Sequence, residues 1–392
     1  MALRRPLCIE ASLACHTRVG RSTLTLAERI GAPGPKRILS LDGGGIRGLI
    51  SLQILKRVER IVREATGNPR LKLAEWFDFI GGTSTGAIIA SCLALGMEVR
   101  QIEESYQLCA RNMFRRASLI ERLWYRYEKD RLSAKLREIL GAETTLGSEH
   151  IGTLLLLMLR NASTASTWPV SNNPRAVYND LARPNCNLRL PLWQLVRAST
   201  AAPSYFPAER ISVGLRPFLF QDGGVTPFNN PAFQMFLMAT ARPYRVGWTA
   251  ARDSLLLISV GTGSTASRNP DLSVFDLDLA SIASSVPLSL MAGMQTHTDM
   301  LCRLFGDCRF GLPLDKEVGD LIGAAAPGGQ KLFSYVRYDA GLTTETLTRL
   351  GLGHISAKSI CPLDSVASLA ELAEVGEAIA DAQVRPVHFA GF

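Results

Sequence analysis

Ser84 lies in Phe79-Ile80-Gly81-Gly82-Thr83-Ser84-Thr85-Gly86-Ala87-Ile88-Ile89, an apolar run that breaks at a Gly-x-Ser-x-Gly and then resumes with helical spacing. This shape predicts a strand, a tight turn holding one serine in a strained conformation, and a helix leaving the turn, which is the outline of a nucleophile elbow. Gly82 and Gly86 suit it because without a Cβ they let neighbouring backbone pass close to the turn. A serine so placed attacks an electrophile, an ester carbonyl foremost. The same pattern also arises by chance in Gly-rich loops, so the rest of the chain has to support it.

A second glycine cluster, Asp42-Gly43-Gly44-Gly45-Ile46-Arg47-Gly48, stands between a predicted strand and a predicted helix. It matches the Gly-x-Gly-x-x-Gly of a dinucleotide site in the correct strand-to-helix context. It also suits an oxyanion hole, where unhindered N–H groups at a helix N-terminus face a tetrahedral oxygen and the helix dipole favours the charge. Ser84 favours the second reading, since a dinucleotide site has no use for a nucleophile after the next strand. The acid expected on the ribose is also missing, because that strand runs straight into Gly81-Gly82. A merely structural turn explains one or two glycines but not four within six positions.

A serine hydroxyl needs a base. None of the five histidines sits in a loop built around it, and only His297 and His354, in the C-terminal third, stay open as bases of a triad. Asp222 is the better candidate: the apolar Phe218-Leu219-Phe220-Gln221 ends at Asp222-Gly223-Gly224. That pattern puts a carboxylate at the C-terminal edge of a sheet, where such folds keep their sites. An ordinary Asp-Gly turn is the competing reading for these residues taken alone.

The elements that must position these groups follow from apolar periodicity. Strands are predicted over Arg37–Leu41 and Trp76–Ile80, and helices over Leu49–Ala65 and Ala87–Leu95. That βαβα order implies a mainly parallel sheet covered on both faces. Leu154–Leu159, Phe218–Gln221 and Ser254–Val260 are further strand candidates. Residues 1–35 read as a loosely packed, flexible arm ending in Gly31-Ala32-Pro33-Gly34-Pro35, residues 36–269 as the catalytic domain, and residues 270–392 as a helix-rich cap or regulatory extension.

Composition bounds the function classes. With 392 residues, 47% apolar and 20% charged, the chain suits a soluble globular protein with ample core. No apolar stretch is long enough to span a bilayer, and Glu10 interrupts the start before a secretory signal can form. Eight scattered cysteines without a C-x-x-C pair indicate neither a zinc ribbon nor a disulfide framework, and read as reduced thiols in the cytosol. The net charge of +8 is uneven: nine bases and three acids lie between Arg111 and Arg137, interleaved with Trp124, Tyr125 and Tyr127. Such a stretch can dock on an anionic membrane, although charge runs are more often solvated helix faces, the reading preferred here. No DNA or RNA partner is expected.

The glycine loop Asp42–Gly48, the block Gly82-Thr83-Ser84-Thr85-Gly86 and Asp222-Gly223-Gly224 resemble, in order and rough spacing, the three signature blocks of patatin-like phospholipases. Arg197-Ala198-Ser199-Thr200-Ala201-Ala202-Pro203-Ser204-Tyr205-Phe206-Pro207 resembles the segment before that family's catalytic Asp, and Phe228-Asn229-Asn230-Pro231 its usual sequel. The resemblance covers about residues 36–265. It implies a three-layer α/β fold and a Ser–Asp dyad acting without metal or other cofactor on membrane glycerophospholipids. Ser84 maps to the nucleophile, Asp222 to the base, and Gly43, Gly44, Gly45 and Arg47 to the oxyanion loop. Gly82, Gly86, Gly223 and Gly224 support the motifs.

Thr167-Trp168-Pro169-Val170-Ser171-Asn172-Asn173-Pro174 with Tyr178-Asn179, and Phe333-Ser334-Tyr335-Val336-Arg337-Tyr338-Asp339, are similar to segments of bacterial patatin-like effectors. Those proteins are switched on by a cyclic nucleotide made during phage infection and then degrade the cell's own membrane. The resemblance therefore implies a cyclic dinucleotide activator and a cytoplasmic protein that works at the inner membrane surface, with room for a homo-oligomer. Lys331 and Arg337 are of types that suit phosphate recognition. An unregulated lipid esterase or thioesterase, and a catalytically idle lipid- or nucleotide-binding protein, are the alternatives.

Overall fold

A strand buried on both faces reads as a continuous apolar run, and Leu154–Leu159 is such a run. Leu155, Leu157 and Leu159 join one hydrophobic cluster, while Leu154, Leu156 and Met158 join another on the opposite face. The structure, a computed structural model, describes residues 24–113, 129–264, 279–326 and 328–392. Its strands are β1 (Lys36–Leu41), β2 (Phe79–Thr83), β3 (Leu154–Asn161), β4 (Ser166–Ser171), β5 (Glu209–Val213), β6 (Arg216–Asp222), β7 (Leu255–Val260), β8 (Asp307–Phe310) and β9 (Ser334–Tyr338). They form one sheet in the order β5-β6-β3-β2-β1-β7-β9-β8, with β4 also paired to β3. The run from β3 through β8 is parallel, and β4, β5 and β6 are antiparallel additions at one side.

Helices cover both faces. On one side Gly48–Thr66, Thr85–Ala94, Leu192–Ser199 and Leu369–Gln383 bury their apolar stripes against Leu39, Leu41, Ile80 and Ile258. On the other, Ala232–Thr240 sets Met235, Phe236 and Met238 against Ile38, Leu156 and Leu257. The result is the expected three-layer α/β architecture.

Three boundaries differ from the sequence reading. Trp76 ends a short helix, Leu73–Trp76, and the second strand runs on through both glycines to Thr83. A Cβ at position 81 would lie 2.9 Å from the Leu156 Cβ on the neighbouring strand and 2.8 Å from the Met235 Sδ of the helix above, a close fit that glycine leaves free. The end of the supposed loose arm docks on the domain through Arg29 and Ile30. The Arg29 guanidinium donates to the carbonyls of Gly152, Glu75 and Phe77, and Ile30 is buried with its carbonyl taking the Trp248 indole N–H. The described part of 270–392 is helix-rich, but it also supplies β8 and β9 to the central sheet. The helix Leu369–Gln383 lies so close along Gly48–Thr66 that a Cβ on Gly376 would stand 2.9 Å from the Ile50 Cα. Both strands are short and carry an arginine, which masks them in an apolar count. Most of the basic aromatic stretch, including Trp124, Tyr125 and Tyr127, lies outside the described residues. Among the described residues no helix is long and apolar enough to cross a membrane.

Candidate active site

Register brings the two halves of the site together. Along β3, Met158 pairs with Thr83 at the end of β2, and the next residue, Leu159, pairs with Asp222 at the end of β6. The opposite edge of β3 is occupied over Leu156–Asn161 by β4. A strand has two edges, so β6 takes over on the β2 side at the point where β2 stops. Ser84, one residue past Thr83, and Asp222 therefore meet although 138 positions separate them.

Ser84 caps the helix Thr85–Ala94 with φ 54° and ψ −122°, a conformation an L-residue holds only where its surroundings impose it. A Cβ on Gly86 would sit 2.3 Å from the Leu41 carbonyl oxygen, so the turn closes only with glycine there. The half-buried serine presents its hydroxyl to Asp222, Oγ donating to Oδ2 at 2.6 Å. The other carboxylate oxygen accepts the Gly224 N–H at 2.7 Å. Asp222 is 4% exposed. Burial pushes its carboxyl up to about 6, against the pull of the Ser84 and Gly224 hydrogen bonds and of Arg197. That moves a weak base toward the pH at which it can take a serine proton. The base form lies above the shifted pKa, so kcat/KM is expected to be flat at neutral pH and to fall with a midpoint near pH 6 as acid is added. A pH–rate profile of ester hydrolysis checks this, and a midpoint near pH 4, the ordinary carboxylate range, would count against it.

The glycine loop lies against the serine: a Cβ on Gly43 would come 3.2 Å from Ser84 Cβ. The carbonyls of its three consecutive glycines are held. Gly43 C=O accepts from Asn229 Nδ2 at 3.3 Å and Thr262 Oγ1 at 3.1 Å. Gly44 C=O accepts the Arg47 N–H and Arg47 Nε. Gly45 C=O accepts from Thr85 Oγ1 at 2.7 Å and Tyr106 Oη at 2.5 Å. A trans peptide points its N–H opposite its carbonyl. Pinning the Gly43 and Gly44 carbonyls thus aims the N–H groups of Gly44 and Gly45 the other way, and among the described residues neither has an acceptor.

The remaining candidates of the loop are otherwise engaged. The Gly43 N–H donates to Asn229 C=O, the Ile46 N–H to Leu363 C=O, and the Arg47 side chain folds back on its own loop with one terminal nitrogen meeting no acceptor among the described residues. Gly45 (φ +57°) lies against Leu363, whose carbonyl oxygen would be 2.3 Å from a Cβ there.

Other sequence candidates fall elsewhere. His354 is exposed and pairs with Glu374 at 3.3 Å, and His297 lies on the outer face of the helix Leu279–Phe305; Ser84 Oγ has Asp222 as its partner. That helix sets Met291 against Gly224 and donates from Gln295 to Asp42. Arg337 is not free for a phosphate. It is buried and donates to both oxygens of Asp42, to Asp339 and to Ser259. Burial alone would pull its guanidinium down, but Asp42 and Asp339 more than offset that. Lys331 caps carbonyls at the end of the same helix, those of Arg303 and Leu304. Asn172, Asn173 and Asn179, in the effector-like segment, are buried and donate to backbone carbonyls of neighbouring loops. Among the described residues no group of three or more His, Cys, Asp or Glu is placed to hold a metal ion.

A parallel sheet with a strained serine at a strand–helix turn, a buried acid bonded to it and two unoccupied amides beside it suits acyl transfer from an ester. The comparisons agree with the geometry. Residues 39–236 match the family model described as patatin-like phospholipase, just over half of the chain, and the chain belongs to that family. It is a lipid acyl hydrolase of the phospholipase A type.

Similar proteins include a cGAMP-activated phospholipase of Vibrio cholerae, 29% identical over 346 residues that cover 84% of this chain and 88% of the relative. A cGAMP-activated phospholipase of Escherichia coli is 31% identical over 60% of this chain and 65% of the relative. Patatin-17 of Solanum cardiophyllum is 28% identical over 58% of this chain and 61% of the relative. The alignments thus span a little under two thirds of the last two proteins.

Proposed function

We propose that this chain hydrolyses carboxylic esters of membrane glycerophospholipids through a Ser84–Asp222 dyad, and that a cyclic dinucleotide switches it on. The observation that carries the first half is the 2.6 Å hydrogen bond from Ser84 Oγ to a buried carboxylate. Asp222 takes the hydroxyl proton as Oγ attacks the ester carbonyl carbon, and the Gly44 and Gly45 N–H groups hold the oxygen that becomes negative. The N-terminus of the helix beginning at Thr85 adds its dipole to that charge. Collapse of the intermediate breaks the ester C–O bond, and protonated Asp222 returns its proton to the leaving alcohol oxygen. Water, deprotonated by the same carboxylate, then attacks the acyl carbon, and as the bond to Ser84 breaks Asp222 returns that proton to Oγ and the fatty acid leaves. Assignment of Ser84 is tested with a fluorophosphonate probe, which should label the wild-type chain and not Ser84→Ala.

The regulatory half rests on the extent of the likeness. The family model stops at residue 236, whereas the alignment with the Vibrio cholerae cGAMP-activated phospholipase covers 84% of this chain, well beyond the catalytic elements. The same reading puts the protein in the cytoplasm, at the inner membrane surface while it works, with no nucleic acid partner and with a homo-oligomer as a natural form. Product mass spectrometry on mixed bacterial phospholipids, with and without a panel of cyclic dinucleotides, should show fatty acid and lysophospholipid only with the activator. Full hydrolysis in its absence would leave an unregulated lipid hydrolase.

A further inference from the structure

We propose that Ser199 is a positioning residue of the dyad, its hydroxyl serving as the splint that fixes the Ser84 turn against β3 and, through its own segment, against Asp222. The inference rests on the dyad reading above. Ser84 and Asp222 stand at the ends of different strands, and each pairs with β3 rather than with the other. Their short contact therefore depends on whatever ties the two strand ends together.

One three-residue segment touches both. Ser199 closes the helix Leu192–Ser199 and is fully buried. Its Oγ accepts the Ser84 N–H at 3.0 Å and donates to the Met158 carbonyl at 2.7 Å. Two residues on, the Ala201 carbonyl accepts the Asp222 N–H at 3.0 Å. A hydroxyl both accepts and donates, so a single small side chain satisfies a backbone N–H on the elbow and a backbone carbonyl on β3. Alanine would leave both groups buried and unpaired.

The segment is itself rigidly mounted. The Thr200 hydroxyl donates to the Arg197 carbonyl, and the buried Arg197 side chain donates to the Pro207 carbonyl on the far side of the loop. Held this way, Ser199 imposes the Ser84 conformation (φ 54°, ψ −122°) and Ala201 sets the depth of Asp222. A positioning role predicts that the chemical step suffers while substrate binding does not, because the hydroxyl is fully buried and bonds two backbone groups.

The test compares wild type, Ser199→Ala, Ser199→Thr and Ser84→Ala by steady-state phospholipid hydrolysis, by fluorophosphonate labelling rate and by thermal melting. Ser199→Ala should lose roughly 100-fold in kcat, the scale of a displacement of about 1 Å at a reacting centre, with KM unchanged and the labelling rate falling in parallel. Ser199→Thr, which keeps the hydroxyl, should recover most of both rates. Wild-type kcat and labelling in a folded Ser199→Ala overturns the inference. So does a loss that Ser199→Thr shares in full while both variants melt as the wild type does. Labelling of Ser84→Ala at the wild-type rate would instead overturn the dyad itself, so the two failures are distinguishable.

Discussion

Asp222→Asn is expected to lower kcat by about three orders of magnitude, the scale of removing a positioned general base, while leaving the protein at least as stable at neutral pH. The amide has the carboxylate's shape, so its oxygen can keep the Gly224 N–H now bonded at 2.7 Å. On the serine side the polarity reverses. An NH₂ group would face Ser84 Oγ, where Oδ2 now accepts the proton, and it cannot accept one. The stability half follows from linkage. The carboxyl titrates at about 6 in the folded chain, against an ordinary value near 4. A group raised on folding stabilises the native state below its unfolded pKa and loses that contribution as pH rises through the folded value. Titrating at about 6 instead of near 4 makes the buried, ionised Asp222 a cost of ~2–3 kcal/mol at pH 7, and asparagine removes it. Melting curves should place the variant at or above the wild type at neutral pH, with the gap closing toward pH 4. Near-wild-type turnover would mean that another group is the base.

How far the sequence reached depends on what each residue needs from the fold. The turn at Ser84 and the strand end at Asp222 are legible because both need close backbone approach, and the flanking glycines record that locally. The βα pattern was legible because a strand buried on both faces must be apolar throughout. The pairing of β6 with β3 past the end of β2 was not, since it follows from the order of strands far apart in sequence. The groups that pin the glycine loop were harder still. Asn229 and Thr262 reach Gly43 across 186 and 219 positions, and Tyr106 reaches Gly45 across 61. Each is one polar residue whose partner exists only after folding. Arg337 carries a signal of another kind. It sits among Phe333, Tyr335, Val336 and Tyr338, all buried. A charge in such a strand must be paired, so the motif pointed to an internal acid, Asp42, rather than to an external phosphate.

That pairing makes Arg337→Met the second large effect, and one that joins the C-terminal region to the glycine loop. Arg337 reaches Asp42 at 3.0 and 2.7 Å, and Asp339 and Ser259 at 2.7 Å each. Asp42 follows β1 directly and donates its N–H to the Val260 carbonyl, so its position sets where the loop Gly43–Gly45 begins. Methionine fills much of the volume but leaves Asp42, 1% exposed, with Gln295 as its remaining side-chain donor among the described residues. Removing one partner of a buried pair costs ~3–5 kcal/mol, since the remaining charge is left uncompensated. Burial already raises the Asp42 carboxyl and Arg337 opposes that rise, so in the variant Asp42 should take up a proton and the stability deficit should shrink on acidification. Adding Asp42→Asn should then restore part of the loss, whereas on the wild-type background the same change is destabilising because it removes the more buried of the two carboxylates that pair with Arg337, leaving Asp339 alone. Denaturant melts of the four proteins measure this coupling directly. Additive losses would show that the pair acts as two independent residues, and a deficit below ~1 kcal/mol for Arg337→Met would place it among weak surface contacts. Activity should follow stability only in part: if the pair anchors the loop, the folded fraction of Arg337→Met still hydrolyses lipid more slowly than the wild type, because the Gly44 and Gly45 amides no longer start from a fixed point.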